Sequence, residues 1–275
     1  MFELLRYDFF QNALISTILI GISCGLVGTY IVAKRMVFIS GGITHASFGG
    51  LGLSYYLGLS PMFGATVFSL LSALGILFLS DNKKLREDSL IGIFWSAGMA
   101  IGILFIYLTP GYAPNLMSYL FGNILTVTSD QIIMSVLLCL LIIAFFVRFY
   151  RPLFYIAFDK EYSKTHNVHV NIIDISITVI IALCIVLCLK LAGIILVISY
   201  LTMPQAIAGI YCKNFTQQLW LSAIISSLGS VGGLFLSAAL NLPSGATIVI
   251  CFLALFVLCR LTHRIRKPQG ITSPQ

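Results

Sequence analysis

Charge is the scarcest feature of this sequence. Only 9% of its 275 residues are Asp, Glu, Lys or Arg, whereas a soluble domain carries about 25%. Apolar residues make up 59% of the chain, and its mean hydropathy is +1.02. A sizeable soluble domain does not fit beside so much apolar sequence, so we expect a single membrane domain over residues 1–275. The net charge of +7 then suits loops that face an anionic membrane lipid surface, and it does not indicate nucleic-acid binding.

Motifs for energy conversion are also missing. The sequence has no phosphate loop of the Gly-x-x-x-x-Gly-Lys-Ser/Thr type, so we expect no ATP hydrolysis by this chain, no enzyme activity and no bound cofactor. Its nine Asp and Glu residues are predicted at the ends of apolar segments and in loops. This placement argues against a carrier driven by an ion gradient, because such carriers use acidic groups inside the membrane.

Small residues are placed for packing rather than for cross-linking. Seven cysteines are scattered through apolar segments, and an odd number so placed is not a disulfide framework. Cys184 and Cys188 share a helix face and would suit a soft metal ion, but packing is the favoured interpretation. Three Gly-x-x-x-Gly pairs begin at Gly21, Gly98 and Gly229. They predict close helix contacts within the chain, and they would also permit a dimer.

The long apolar segments predict transmembrane helices. A helix needs about 20 apolar residues to cross the hydrocarbon core. The candidates are 12–33, 43–60, 62–80, 89–109, 131–149, 172–190, 192–211, 218–239 and 246–262. Segment 43–60 is short and rich in glycine, and one of the two segments that meet near Lys190 could be broken or re-entrant. A surface helix is predicted between residues 110 and 130. We therefore predict an all-α polytopic membrane protein with eight or nine transmembrane helices.

The Lys and Arg residues give this bundle an orientation. All but two of the sixteen lie in five gaps between apolar segments, at Lys34–Arg35, Lys83–Arg86, Arg148–Lys164, Lys213 and Arg260–Lys267. Loops rich in Lys and Arg stay in the cytoplasm, so these gaps and the C-terminus are predicted there. The tail 267–275 is predicted to be disordered. Lys190 is interpreted as reaching the outer interface, with a position along a pathway as the alternative.

His45 is the one histidine predicted inside the membrane. Ionisable residues there are costly and usually face a cavity or pathway, and a neutral imidazole binds transition metals. We therefore predict a metal or translocation pathway at His45 with its polar neighbours Thr44 and Ser47. A structural histidine bonded to a nearby carbonyl group is the alternative. The sequence shows no carboxylate close by.

The longest polar stretch, about 150–171, is predicted to be a cytoplasmic loop. Acidic residues in the first turn suit a short surface helix because they complement its dipole, and an Asn can end such a helix. A short amphipathic helix there is a natural docking element. The candidate docking residues are Asp159, Lys160, Glu161, Ser163, Lys164 and Asn167. His166 and His169 have a spacing that could hold a metal, but an exposed face is the favoured interpretation.

Five motifs in order along the chain carry a resemblance to a known family. They are Lys34-Arg-Met with His45-Ala-Ser, Asp88-Ser-Leu-Ile-Gly92, Leu116-Met-Ser-Tyr-Leu-Phe-Gly122, Gly193 through Pro204-Gln-Ala-Ile-Ala208, and Leu242-Pro-Ser-Gly245. In order and spacing they resemble the membrane-spanning permease subunit of bacterial ABC importers for zinc, manganese or iron. The resemblance covers residues from about 10 to 262.

The resemblance implies a function and a set of partners. It implies a permease of the bacterial cytoplasmic (inner) membrane that imports a divalent metal, with zinc expected first and manganese or iron as alternatives. The loop Asp159–Asn167 would be the coupling helix that docks on a separate ATP-binding subunit. An extracytoplasmic metal-binding protein would deliver the ion to a permease homodimer. A stand-alone secondary metal carrier or channel is the alternative.

Four positions depart from the family's pattern. Gly41 stands where the family commonly has an Asp, four residues before the histidine of the His-Ala motif. In the coupling helix, Ser163 replaces an Ala, and Asn167 replaces the Gly that closes the helix. Asn241 replaces an Asp at the outer turn. Two acidic groups of the family's pattern are therefore absent from this sequence, and the resemblance does not identify the metal ligands.

Overall fold

The computed structural model describes residues 5–80, 85–110, 122, 124–165 and 170–266, without the side chains of residues 164, 165, 265 and 266. In these residues the chain forms eleven α-helices and no strand. The helices are α1 (Asp8–Ala33), α2 (Val37–Tyr56), α3 (Pro61–Ser80), α4 (Glu87–Leu108), α5 (Ser129–Arg148), α6 (Tyr150–Phe158), α7 (Lys160–Thr165), α8 (Val170–Ala192), α9 (Ile194–Tyr211), α10 (Phe215–Leu240) and α11 (Ser244–Arg266). The predicted all-α fold is confirmed.

Nine of these helices are long, and eight are apolar enough to cross a membrane. The ninth is α2, whose glycines, hydroxyl residues and histidine lower its hydropathy. It begins at Val37, six residues before the predicted start of its segment. The predicted surface helix of 110–130 falls mainly outside the described residues, although a short 3₁₀ turn covers Ile124–Thr126. The chain is a multi-pass membrane protein.

The two segments near Lys190 are separate helices that fold back on each other. Gly193 lies between them with φ 81° and ψ 167°, a backbone conformation open essentially to glycine alone. The Cys24 sulfur lies 3.8 Å from that of Cys184 in α8, and Gln205 in α9 donates to the Cys24 carbonyl at 2.9 Å. A straight helix would place Cys184 and Gln205 about 30 Å apart. Their shared contact with α1 therefore shows that the chain reverses at Gly193.

The glycine pairs pack helices within the chain. A side chain at Gly25 would meet the backbone of α10, as would one at Gly21, and a side chain at Gly233 would meet Ile248 of α11. Gly98 on α4 lies against the backbone of Ala46 on α2. All three predicted pairs thus serve contacts inside one chain.

Helix α2 lies at the centre of one half of the bundle. It packs against α3 and α4, and it also contacts α8 and α9. Fourteen of its residues are buried. Gly50 meets Gly64 of α3 backbone to backbone, and Gly52 meets Gly102 of α4 in the same way. These contacts let three helices approach closely without interlocking side chains, and they fix the position of the segment that carries His45.

Candidate functional site

His45 is the ninth of the twenty residues of α2 and lies half-buried near the middle of the helix. Its ring stacks on the indole of Trp95 from α4, with 4.2 Å between ring centroids and an angle of 9° between the planes. Its Nδ1 atom is buried and has no hydrogen-bond partner among the described residues. Buried polar atoms usually have partners, so this nitrogen is available to a ligand. The alternative of a histidine bonded to a nearby carbonyl through Nδ1 is not what the structure shows.

The two polar neighbours of His45 do not join it. Thr44 and Ser47 are fully buried. The Thr44 hydroxyl donates to the carbonyl of Ser40, and the Ser47 hydroxyl donates to the carbonyl of Thr44. Both donors are therefore engaged by the backbone of α2 itself. Within the described residues Thr44 and Ser47 bond to α2 itself, and the roles of His45, Thr44 and Ser47 at a pathway stay predictions.

Trp95 was not among the predicted site residues, yet it covers two of the positions that matter. A Cβ atom built at Gly41 would lie 3.1 Å from the Cζ3 atom of Trp95 and 3.5 Å from Cδ1 of Ile198. The same indole stacks on His45 one turn further along α2. The tryptophan therefore fills the space beside Gly41, where the family commonly has a carboxylate. In the sequence Trp95 is one of many apolar residues in the segment 89–109, so no local signal indicated this contact.

No group of three or more His, Cys, Asp or Glu residues in the described part of the chain could hold a metal ion. The predicted thiol pair, Cys184 and Cys188, is not part of such a group. Cys184 and Cys188 are buried in the core together with Cys24. They act as packing residues, in line with the favoured interpretation. One chain thus offers a single imidazole at the predicted pathway.

The predicted docking helix is present, and its start is well defined. Asp159 ends α6 and accepts a hydrogen bond from the backbone N–H of Tyr162 at 2.9 Å, which caps the start of α7. The Ser163 hydroxyl donates to the Asp159 carbonyl at 2.8 Å, and Ser163 is buried. Glu161 is exposed. The side chain of Lys164 and the residues Asn167, His166 and His169 lie outside the described structure.

A buried charge cluster that sequence reasoning missed lies next to α7. Asp174, in the second turn of α8, is only 1% exposed. Its two oxygens are 2.8 Å from Nζ of Lys34 and 2.9 Å from Nζ of Lys160. Asp174 lies near the end of its segment, as predicted, but its burial and its pairing with two lysines were not predicted. The available signal was an Asp surrounded by apolar residues, which is rare in a membrane helix and usually paired.

Lys190 lies at the opposite end of α8 from Asp174. The two residues are 16 positions apart, which is about 24 Å along a helix. Lys190 is half-buried and lines a cleft of about 400 Å³ with Met62 and Phe63 at the start of α3. The turn between α2 and α3 carries no Lys or Arg, which favours the outer side for it. Lys190 therefore lies near that turn, and its position at the outer interface stays a prediction.

Comparison with known proteins assigns the chain to a family. Residues 6–263 match the model of the ABC 3 transport family. The chain belongs to this family. It is 44% identical over 253 residues to an uncharacterized membrane protein of Synechocystis sp., covering 91% of this chain and 89% of that protein. It is 32% identical over 256 residues to a manganese transport system membrane protein of Halalkalibacterium halodurans, covering 93% and 88%.

A solved structure agrees with the fold. The chain superposes on one from PsaBC of Streptococcus pneumoniae in complex with Fab with a TM-score of 0.81 and 32% identity, over 93% of this chain and 92% of that chain. The ABC 3 assignment makes this protein the permease of a metal ABC importer. It implies an ABC ATPase and a substrate-binding protein as partners. The stand-alone carrier or channel is not supported.

Proposed function

We propose that this permease carries a divalent transition-metal ion across the cytoplasmic membrane of a bacterium along a pathway that passes His45. The observation that carries the proposal is the buried Nδ1 of His45, which has no partner among the described residues and lies midway along the central helix α2. A neutral imidazole nitrogen is a common ligand of transition metals. The backbone contacts of α2 with α3 and α4 keep this nitrogen between packed helices.

The ligand chemistry favours zinc or iron(II) over manganese. Imidazole suits zinc and iron, whereas carboxylates, carbonyl groups and water suit manganese. The position one turn before His45 is Gly41, and the space beside it is filled by Trp95. We therefore keep zinc as the first expected cargo. Manganese is the second candidate, favoured by the name of the relative from Halalkalibacterium halodurans.

A single imidazole is too small a ligand set for a transported metal, so we propose a permease homodimer. Transition-metal sites in proteins combine several ligands. A second copy would bring a second His45 to a shared pathway. The helices α4, α5 and α11 expose rows of large apolar side chains that a partner copy or lipid can cover, among them Ile103, Leu137 and Leu258.

The cytoplasmic side of the bundle is proposed as the ATPase-facing side. The distribution of Lys and Arg favours this side for helix α7, and Glu161 in that helix is exposed. The C-terminus is proposed on the same side. Metal delivery by an extracytoplasmic binding protein would then occur at the opposite end, near the turn between α2 and α3.

The test is ATP-dependent uptake of radioactive zinc, manganese and iron(II) into proteoliposomes. These contain the permease and its ATPase, with the binding protein supplied at the outer face. We expect uptake that needs all three proteins, with zinc competing best. The variant His45→Ala should lose most of this uptake while the ATPase still co-purifies. A matched control is His263→Ala in α11, where the imidazole packs edge-on against Tyr211, away from α2.

Two results would contradict this proposal. Uptake that is unchanged in His45→Ala, or that is lost equally in His263→Ala, would remove His45 from the pathway. Uptake by the permease without its ATPase would return the protein to the class of secondary carriers.

A further inference from the structure

The charge cluster around Asp174 has four members, and they come from four parts of the chain. Lys34 is the residue that ends α1, Lys160 begins α7, and Asp174 lies in α8. Glu87, the first residue of α4, has a buried oxygen and interacts electrostatically with the other three members. The cluster thus connects the predicted docking helix to the helices around the pathway.

The two ion pairs differ in geometry. The ammonium group of Lys34 donates a hydrogen bond to Oδ1 of Asp174 at 2.8 Å, whereas Lys160 makes an ion pair with Oδ2 at 2.9 Å. The Asp174 side chain is 2% exposed, and those of Lys34 and Lys160 are 19% and 25% exposed. Removing ions from water costs several kcal/mol each, and the attraction often only offsets that cost. A gain in stability therefore does not account for the cluster, whereas a role in positioning the helices that it joins would account for it.

The short connection between α1 and α2 ties Lys34 to the helix that carries His45. Arg35 has a positive φ of 60°. Its N–H donates to the carbonyl of Val32, and the Met36 N–H donates to that of Ile31, both at 3.0 Å. This is the hydrogen-bond pattern of a Schellman turn. Because α2 begins at the next residue, a displacement of Lys34 moves the start of α2 with it.

Helix α7 is connected to Asp174 of α8 by the ion pair of Lys160. It has six residues and packs mainly against α6 and α8. Its ring contact between Tyr162 and Tyr155 of α6, at 6.0 Å, stays within the loop. The ion pair of Lys160 with Asp174 connects α7 to α8, and the second ion pair of Asp174, with Lys34, continues this connection to the pathway helices.

We propose that Asp174 is a positioning residue that couples the docking helix α7 to the α1–α2 turn. Through it, a movement of α7 imposed by the ATPase shifts the start of α2 and with it His45. The inference rests on the proposed function, in which α7 docks on the ATPase and His45 lies on the pathway. Lys160 supplies the movable contact, and Lys34 supplies the contact on the pathway side.

The test measures the number of metal ions transported per ATP hydrolysed by the complete transporter in proteoliposomes. Lys160→Met removes the contact from α7 but leaves Asp174 paired with Lys34. We expect this ratio to fall about tenfold, the size of a typical coupling between two sites, with little change in the melting temperature. Because Lys160 is also a candidate docking residue, ATP hydrolysis is measured per molecule of co-purified ATPase. Lys160→Arg keeps the cation and should restore the ratio. Lys213→Met, an exposed cytoplasmic lysine between α9 and α10, is the matched control.

Two outcomes would overturn the inference. In one, Lys160→Met keeps the same ratio as Lys213→Met. In the other, uptake, hydrolysis and melting temperature all fall in parallel in both Lys160 variants, which would mark a purely structural role. Absence of ATP-dependent uptake by the wild-type complex would instead count against the proposed function. A second measurement tests the coupling separately from the proposed function.

The second measurement needs no transport. Phe38, 70% exposed in the first turn of α2, is replaced by Cys, and its rate of maleimide labelling is followed with and without ATP in the permease–ATPase complex. The same complex without this substitution gives the background from native cysteines. We expect ATP to change the rate in the parent and to have little effect when Lys160→Met is added. An equal response in both, or no response in the parent, would refute the coupling.

Discussion

Restoring a carboxylate beside His45 is the sharpest test of how Trp95 shapes the site. In Gly41→Asp the new Cβ alone would lie 3.1 Å from Cζ3 of Trp95, and the carboxylate extends further, so we expect the indole to shift from its stack on His45. Overpacking costs about 1–3 kcal/mol, and the lost ring contact costs about 0.5–1.5 kcal/mol more. At about 2–4 °C per kcal/mol for a chain of this size, the melting temperature should fall by roughly 3–18 °C.

A double-mutant cycle isolates the contact between positions 41 and 95. In the Trp95→Leu background, Gly41→Asp should cost about 1–2 kcal/mol less than in the wild type, a coupling typical of residues in contact. Thermal unfolding of the purified permease supplies the four values. Gly41→Ala adds only the Cβ and should change stability little, because the helix propensity of Ala offsets the tight contact by about 1 kcal/mol.

The same variants test the metal preference. Gly41→Asp combined with Trp95→Leu places a carboxylate beside His45, so manganese uptake should rise relative to zinc uptake. Gly41→Asn in the same background has nearly the same shape without the charge and should leave the preference unchanged. Additive stability changes would show that Trp95 does not occupy the space beside Gly41. An unchanged metal ratio in the aspartate variant would refute the argument from ligand chemistry.

The remaining predictions concern the packing of α2 and the docking of α7. Gly50→Ala should destabilise the permease by about 1–3 kcal/mol in thermal unfolding, because its Cβ would clash with the backbone of Gly64. The control Gly92→Ala, where no atom lies within 4 Å, should be neutral or stabilising. Equal effects of the two substitutions would contradict the backbone contact. Glu161→Arg should reduce co-purification of the ATPase without lowering the melting temperature, since Glu161 is exposed; normal co-purification would remove α7 from the docking surface.

The helices could be predicted from the sequence because lipid imposes a simple requirement on them. A spanning segment has to be long and apolar, and that requirement acts on consecutive residues. It found every long helix, including α8 and α9 on either side of Gly193. It misplaced the start of α2, whose first residues include Ser40, Gly41 and Gly42, which a count of apolar residues does not credit. The two glycines pack against α4 and α9, and no local pattern describes such contacts.

For the site, the sequence could predict only those residues that stand out from their neighbours in the chain. His45 was identifiable because a histidine in an apolar segment is unusual. Trp95 lies fifty positions away, and nothing in its neighbourhood shows that it stacks on that ring. Lys34 and Asp174 are 140 positions apart, so their pairing depends on the arrangement of α1 and α8. Long-range contacts of this kind follow from the packing of whole helices rather than from any spacing.

The two kinds of contact along α2 restrain it differently. At Gly50 and Gly52 it meets its neighbours backbone to backbone, so separation would lose close packing, while sliding along the axis displaces few side chains. Next to its first turn, the ion pair of Lys34 with Asp174 restrains the axial position. Small sliding movements of packed helices are a common form of conformational change. A movement transmitted through Asp174 should therefore shift α2 along its axis. Because Trp95 belongs to α4, such a shift would slide His45 out of its stack and expose its face to the pathway.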